Sequence, residues 1–216
     1  MKKSIVFDLD GTLVDTHKAL ESLVKDENPN FSVERILTYD FNKSLDFSKA
    51  PQWFLDTMEY EKLGHRNYGL NVERKVLINL LSDLRLFRKA ELFDSVHDTL
   101  PSIAEYYEII FHSFAYTREI ANYKSVIIDS YFKNKFDYTM ITSIGIKKPC
   151  ILNADFVVED NLFDLEGYIG SGTKLLLIDR PYNQELYNQD LSSVFENSLR
   201  LKNIEKCFDY LLNIVE

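Results

Sequence analysis

The sequence predicts an α/β fold built on a Rossmann-like, doubly wound parallel sheet, with a small helical cap inserted after the first strand. Short, continuous apolar runs recur along the chain, as is typical of parallel strands covered on both faces. Helical patterns separate these runs, which is the alternation expected of a parallel sheet. Residues 16–95 separate the first apolar run from the next clear one, far more than one crossover needs.

The first strand is predicted over residues 4–8 and leads directly into two carboxylates. Asp8 is expected at the carboxyl end of this strand, where open α/β sheets bind their ligands. Extended geometry points residues i and i+2 the same way, so Asp8 and Asp10 face one small volume. Two carboxylates this close repel each other unless a cation or a shared proton relieves them, and Mg2+ is the simplest such cation. A calcium-binding EF-hand loop is excluded, because its twelfth position, which must be Glu, is Ala19.

Three later apolar runs also lead into polar groups. They are predicted as strands over residues 109–111, 156–158 and 174–178. Parallel strands in one layer deliver their carboxyl ends to one edge of the sheet. That edge is expected to gather Asp8, Asp10, Ser113, Glu159 and Asp160.

The insertion has a largely helical pattern. Residues 19–25 and 72–90 are predicted as helices. We interpret residues 16–95 as a cap over the active edge, which would exclude water and determine specificity, and residues 1–15 and 96–216 as the core domain. Trp53 with Phe54 and the cluster at 65–68 are candidate substrate contacts, although Trp53 and Phe54 serve equally well as the core of the cap itself.

Three further helices are predicted in the core. One is expected to start at residues 98–101, since proline is favoured in the first turn of a helix. Thr117 is predicted as the N-cap of the second, and residues 203–215 form the third. Their predicted apolar stripes are Ile120, Tyr123, Ile127 and Tyr131 in the second, and Ile204, Phe208, Leu211 and Val215 in the third.

Four separated motifs resemble those of the haloacid dehalogenase superfamily. They are the DxDGT run at 8–12, Ser113, the lysine before proline at Lys148, and the acidic pair at 159–160. Their order and spacing match over residues 4–161. Within that superfamily, Ala154-Asp155 and the segment 178–183 are similar to the 5'(3')-deoxyribonucleotidases.

The carboxylates of Asp8 and Asp10 suit two of the roles that phosphoryl transfer requires. This reaction needs an in-line nucleophile, neutralised phosphoryl oxygens and a proton for the leaving oxygen. Asp8 is the candidate nucleophile, which forms an aspartyl-phosphate. Asp10 is the candidate general acid and then base, and the resemblance implies the same two roles.

Other residues are candidates for binding the phosphate and the metal ion. Ser113 fits the phosphate-binding hydroxyl, or else a strand-end serine that caps a turn. Lys148 is the expected cation beside Asp8, with Lys147 as its alternative. The predicted metal ligands are Asp8, Asp10 and Asp160. The resemblance implies that Asp10 binds the metal through its backbone carbonyl, and Glu159 is an alternative or outer ligand.

Composition sets the class of substrate and the location. A net charge of −9 disfavours broad binding to nucleic acid polymers or membrane surfaces, and no apolar run is long enough to span a membrane. Two cysteines without motif spacing favour a reducing, cytoplasmic location. We expect Mg2+ as the cofactor and a small phosphorylated metabolite as substrate, most simply a nucleoside monophosphate. The alternatives are a sugar-phosphate phosphatase or phosphomutase, and a non-catalytic phosphate- or metal-binding module.

Overall fold

The computed structural model describes residues 2–27, 83–146, 148–151, 153–180, 183 and 197–215. The chain divides into two compact units. One consists of Met1–Asp15 and Glu91–Glu216, and the other of Thr16–Ala90. None of the helices in the described ranges is long and apolar enough to cross a bilayer.

The first unit contains a six-stranded sheet in which every neighbouring pair is parallel. The strands lie in the order β3-β2-β1-β4-β5-β6. This confirms the predicted α/β, Rossmann-like fold. Because the order reverses between β1 and β4, the ligand crevice of such a sheet is expected at the carboxyl ends of these two strands. The strands are β1 Lys3–Phe7, β2 Tyr107–Ala115, β3 Tyr138–Ile144, β4 Phe156–Glu159, β5 Lys174–Ile178 and β6 Ser198–Leu201.

Four α-helices of the first unit are described, and large apolar side chains join two of them to the sheet. Phe7 meets Phe208 edge to face with ring centroids 6.1 Å apart, and Phe111 stacks on Phe132 at 6.0 Å. All four rings are fully buried, so they anchor the sheet core. The helices are α3 Asp94–Tyr106, α4 Arg118–Phe132, α5 Leu162–Leu165, which continues as a 3-10 turn over Glu166–Tyr168, and α6 Ile204–Asn213.

The four strands predicted from apolar runs are all present, whereas β3 and β6 were not predicted. Both are edge strands of the described sheet. The side chains of β3 alternate largely between half-buried and exposed, and those of β6 are all half-buried. Neither sequence therefore needs the continuous apolar run that marks a strand buried on both faces.

The predicted start of α3 was wrong. The helix begins at Asp94 and passes through Pro101, rather than starting at residues 98–101. Its buried residues include Val96, Leu100 and Ile103, which are spaced as one helical face. Burial of this face outweighs the cost of an internal proline, which forfeits one backbone hydrogen bond.

The N-cap of α4 was predicted correctly, but its buried face was not. The N–H of Ile120 donates to the Thr117 hydroxyl at 3.2 Å. The buried line continues with Lys124, Ile128 and Phe132, instead of the predicted tyrosines and Ile127. A search for apolar spacing passes over this line because a lysine interrupts it.

The last helix is shorter than predicted. Asn203 is its N-cap and accepts a hydrogen bond from the N–H of Lys206 at 3.1 Å. The helix ends at Asn213, so Val215 lies beyond it and is 38% exposed.

The second unit contains two described helices, α1 Thr16–Glu27 and α2 Leu84–Lys89, joined by an ion pair between Asp26 and Lys89. Helix α1 confirms the helix predicted over residues 19–25. The prediction of a single continuous helix over 72–90 was wrong, because Asp83 is extended and caps α2 by accepting from the N–H of Arg85. The other predicted features of the cap, which are residues 72–82, Trp53, Phe54 and the cluster at 65–68, lie outside the described residues.

Candidate active site

The sheet topology positions Asp8 at the centre of the site. Asp8 directly follows β1, and its N–H donates to the carbonyl of Val158 on β4 at 3.0 Å. Asp8 is buried. Its backbone is thus fixed between β1 and β4, at the point where the strand order reverses.

The next residues form a tight turn that fixes the backbone around Asp10. The carbonyl of Leu9 accepts hydrogen bonds from three successive N–H groups, those of Thr12, Leu13 and Val14, at 3.2, 2.9 and 2.8 Å. Gly11 has φ 74°, in the left-handed region that glycine occupies without a steric penalty. The side chain of Asp10 is 29% exposed.

Lys148 lies among three acidic side chains. Its Nζ is 2.7 Å from Asp8 Oδ1, contacts Glu159 Oε1 and lies 3.7 Å from Asp164 Oδ2. Burial disfavours the charged ammonium, but the charges of Asp8, Glu159 and Asp164 outweigh burial and raise the pKa of Lys148 well above its usual value. Lys148 is therefore a fixed positive charge beside Asp8. The alternative, Lys147, lies outside the described residues.

Three carboxylates converge on one small volume. One oxygen from each of Asp8, Glu159 and Asp160 lies within 4.8 Å of the others, and all three residues are buried. Burial, followed by the charge of Asp8, raises the pKa values of Glu159 and Asp160 well above their usual values. Metal binding and proton binding therefore compete at these groups, because a metal ion takes the deprotonated carboxylate. The donor set consists of hard oxygens, which suits Mg2+.

Hydrogen bonds hold Glu159 and Asp160 in this arrangement. Glu159 Oε2 accepts from the N–H groups of Asp160 and Asn161, both at 3.2 Å. The Thr12 hydroxyl donates to Asp160 Oδ1 at 3.3 Å. Asn183 belongs to the segment 178–183, which resembles the 5'(3')-deoxyribonucleotidases, and its side-chain amide donates to the carbonyl of Asp160 at 2.8 Å.

The same late segment also supports the turn after Asp8. Asn183 donates to the carbonyl of Ile178 at 2.8 Å, which fixes it to the end of β5. The Arg180 side chain donates to the carbonyl of Gly11. Its guanidinium lies 4.5 Å from the ring centroid of Phe93. These contacts link β5 to the turn that carries Asp10.

A second group of site residues surrounds Lys124, a residue that no sequence motif indicates. The Lys124 ammonium contacts Asp10 Oδ2 and donates to Ser113 Oγ at 3.0 Å and to the carbonyl of Phe114 at 2.6 Å. Burial, and to a lesser degree the charge of Asp8, raises the pKa of Asp10 although Lys124 lowers it. One sequence feature could have indicated Lys124. It lies four residues from both Ile120 and Ile128, on a helix face that is otherwise apolar.

The structure thus separates the predicted site residues into two groups. Asp8, Lys148 and Asp160 lie together with Glu159, whereas the side chains of Asp10 and Ser113 meet at Lys124. The three converging carboxylate oxygens belong to Asp8, Glu159 and Asp160, and none belongs to Asp10. Metal binding through the backbone carbonyl of Asp10 stays a prediction.

The setting of Ser113 differs in part from the predicted one, and a buried histidine, His112, lies next to it. Ser113 does not end its strand, since β2 continues to Ala115. His112 is buried, with Nε2 3.4 Å from the Ser143 hydroxyl. Burial and the nearby charge of Lys148 lower the pKa of His112 to about 4. His112 is therefore expected to be neutral and packed at neutral pH.

Solved structures of similar shape belong to haloacid dehalogenase-like proteins. One is a haloacid dehalogenase-like hydrolase from Streptococcus pneumoniae, with 16% identity and a TM-score of 0.52, and the match covers 100% of this chain and 99% of that chain. A second is a dehalogenase with 16% identity and a TM-score of 0.55, covering 97% of this chain and 96% of that chain. A third is a haloacid dehalogenase-like hydrolase from Burkholderia xenovorans, with 13% identity, a TM-score of 0.54 and 99% of each chain covered. No protein-family model matches the sequence, and no curated protein is significantly similar to it. Likeness at this level of identity establishes fold rather than activity. The chain therefore has the α/β fold of the haloacid dehalogenase-like hydrolases.

Proposed function

We propose that the protein is a Mg2+-dependent phosphomonoesterase that works through an aspartyl-phosphate on Asp8. One observation carries the proposal. Asp8 is buried at the carboxyl end of β1, with the Lys148 ammonium 2.7 Å away and oxygens of Glu159 and Asp160 within 4.8 Å. A carboxylate held between a fixed cation and a cation-binding set of oxygens is suited to attack an anionic phosphorus centre.

The chain's own residues account for both chemical steps. An Asp8 oxygen attacks phosphorus, the phosphorus–oxygen bond to the leaving group breaks, and Asp10 gives its proton to the leaving oxygen. A water molecule then attacks the phosphorus of the aspartyl-phosphate and loses its proton to Asp10. The bond between phosphorus and Asp8 breaks and inorganic phosphate is released. Lys148 and Ser113 would bind the phosphoryl oxygens.

The oxygens of Asp8, Glu159 and Asp160 would hold the Mg2+. Their hard donor chemistry and shared volume fit this ion. When bound, Mg2+ would supply positive charge that reduces the repulsion between the substrate phosphate and Asp8.

We infer that the substrate is a nucleoside monophosphate. This finer proposal is supported by Ala154-Asp155 and the segment 178–183, which resemble the 5'(3')-deoxyribonucleotidases. Two residues of that segment contact the site, since Arg180 donates to the carbonyl of Gly11 and Asn183 to that of Asp160.

A substrate panel tests the proposed function. The protein is incubated with Mg2+ and with 5' and 3' (deoxy)nucleoside monophosphates, sugar phosphates and p-nitrophenyl phosphate, and released phosphate is measured. We expect nucleoside monophosphates to be the best natural substrates and EDTA to abolish turnover. Preference for sugar phosphates would overturn the nucleotide proposal alone. Absence of turnover with every compound would overturn the phosphatase proposal.

Binding of Mg2+ is expected to stabilise the protein more at pH 8 than at pH 6. Because the pKa values of Glu159 and Asp160 are raised in the folded state, folding binds protons there, and that contribution to stability is lost as the pH rises through the raised values. Mg2+ binds the deprotonated groups, so its benefit grows in the same direction. At a concentration one hundred times Kd the gain approaches about 2.7 kcal/mol. Thermal unfolding with and without Mg2+, at matched ionic strength, measures it.

The matched variants for this measurement are Asp160→Asn and Asp209→Asn. Asp209 is exposed on α6 and pairs only with Lys206 among the contacts described for its carboxylate, so its substitution should leave the Mg2+ effect intact. Asp160→Asn should reduce that effect strongly. An equal Mg2+ effect in the wild type and in Asp160→Asn would contradict the proposed metal site.

A further inference from the structure

Lys124 occupies a position that apolar packing alone does not explain. Its side chain is only 4% exposed and lies on the buried line of α4, between Ile120 and Ile128. Burying an ammonium is unfavourable before its partners compensate, and apolar side chains of similar volume commonly replace buried ion pairs without loss of stability. The position of this charge is therefore better explained by the groups that it contacts.

Those groups are two residues with separate tasks in the proposed reaction. The Lys124 ammonium contacts the Asp10 carboxylate and donates to Ser113 Oγ at 3.0 Å. It also donates to the carbonyl of Phe114 at 2.6 Å, which fixes the ammonium to β2. Asp10 lies in the turn after β1, so Lys124 connects that turn to the neighbouring strand.

Lys148 does not perform this task. Its ammonium contacts Asp8 and Glu159, which belong to the cluster of converging carboxylates. The two lysines therefore contact different carboxylates, Lys148 that of the nucleophile and Lys124 that of the acid–base residue.

We propose that Lys124 is a positioning residue that holds the Asp10 carboxylate in the arrangement needed for proton transfer, with its ammonium anchored on β2 by Ser113 Oγ and the Phe114 carbonyl. The inference rests on the proposed function. In the first step, the Asp10 proton moves to the leaving oxygen as its bond to phosphorus breaks. In the second, Asp10 takes the proton of the water that attacks the aspartyl-phosphate, and phosphate leaves Asp8. Both transfers require Asp10 to stay within hydrogen-bond reach.

The two steps should respond differently to the loss of Lys124. p-Nitrophenolate is a good leaving group and leaves without a proton, so formation of the aspartyl-phosphate from p-nitrophenyl phosphate depends little on Asp10. Hydrolysis of the aspartyl-phosphate still needs a base. Lys124→Met should therefore release about one equivalent of nitrophenolate per enzyme in a rapid burst, followed by slow turnover.

The experiment is a double-mutant cycle of Lys124→Met and Asp10→Asn, followed by stopped-flow absorbance with p-nitrophenyl phosphate and Mg2+. General acid–base groups contribute about 100- to 10,000-fold, so we expect Lys124→Met to lower kcat by at least roughly tenfold, with KM changed much less. Because Lys124 acts through Asp10, the double variant should match Asp10→Asn to within about threefold. Lys133→Met, at an exposed position just after α4, is the matched control and should behave as the wild type.

The outcomes separate this inference from the proposed function. A wild type without turnover would overturn both. An active wild type with kcat unchanged in Lys124→Met, or with losses that multiply in the double variant, would overturn the positioning role alone. Thermal unfolding checks that each variant folds. If Lys124→Met does not fold, Lys124→Gln, which keeps an N–H donor, takes its place in the same cycle.

Discussion

Asp8→Asn is expected to abolish phosphate release, with kcat lowered by roughly ten-thousandfold or more, as is typical when a nucleophile is removed. The amide has the shape of the carboxylate but cannot form the aspartyl-phosphate. Phosphate release is measured with the best substrate of the panel. The protein is also incubated with 32P-labelled substrate and denatured in acid, which preserves an aspartyl-phosphate. The wild type should then carry the label and Asp8→Asn should not.

The same substitution should leave the fold intact. The charge of Asp8 contributes to the raised pKa values of Glu159 and Asp160, so its removal relieves a repulsion between buried carboxylates. Lys148 keeps its contact with Glu159. We therefore expect a Tm at least as high as that of the wild type in metal-free buffer, with Asp209→Asn as the surface control. Retained turnover in a folded Asp8→Asn protein would exclude Asp8 as the nucleophile.

The sequence predicted those parts of the fold that leave a local signal. The apolar runs of β1, β2, β4 and β5 located the centre of the sheet because strands buried on both faces must be apolar. The edge strands β3 and β6 carry half-exposed side chains and left no such signal. Pro101 suggested a helix start, yet the packing of a complete helical face determined where α3 begins.

The candidate site shows the same division. Asp8 and Asp10 lie close in sequence, and Glu159 and Asp160 end a clear strand, so spacing was enough to bring them to one edge of the sheet. Lys124 could not be found this way, because its partners are 114 and 11 residues away in the chain. Its position depends on how α4 lies against β2 and the turn after β1, which is a property of tertiary packing.

Lys148→Met is expected to lower the free energy of unfolding by about 3–5 kcal/mol at pH 7 in metal-free buffer, as is typical when one partner of a buried ion pair is removed. The Lys148 side chain is 7% exposed and is in contact with Asp8 and Glu159, with Asp164 close by. Without it, these carboxylates face each other in a buried site. Urea unfolding measures the change, and phosphate release should be lost with it because no ammonium remains beside the nucleophile.

The dependence of this loss on pH separates charge from packing. The pKa of Glu159 is already raised by burial and by Asp8, while Lys148 lowers it, so the substitution raises it further. As the pH falls, Glu159 binds a proton in the folded state and the repulsion disappears. The difference in stability between wild type and Lys148→Met should therefore shrink as the pH falls through the raised pKa of Glu159, and added Mg2+ should reduce it at pH 7. Lys206→Met, on the surface of α6, should show no such trend. A loss that is constant across this range would mean that Lys148 stabilises the fold by its methylene packing and not by its charge.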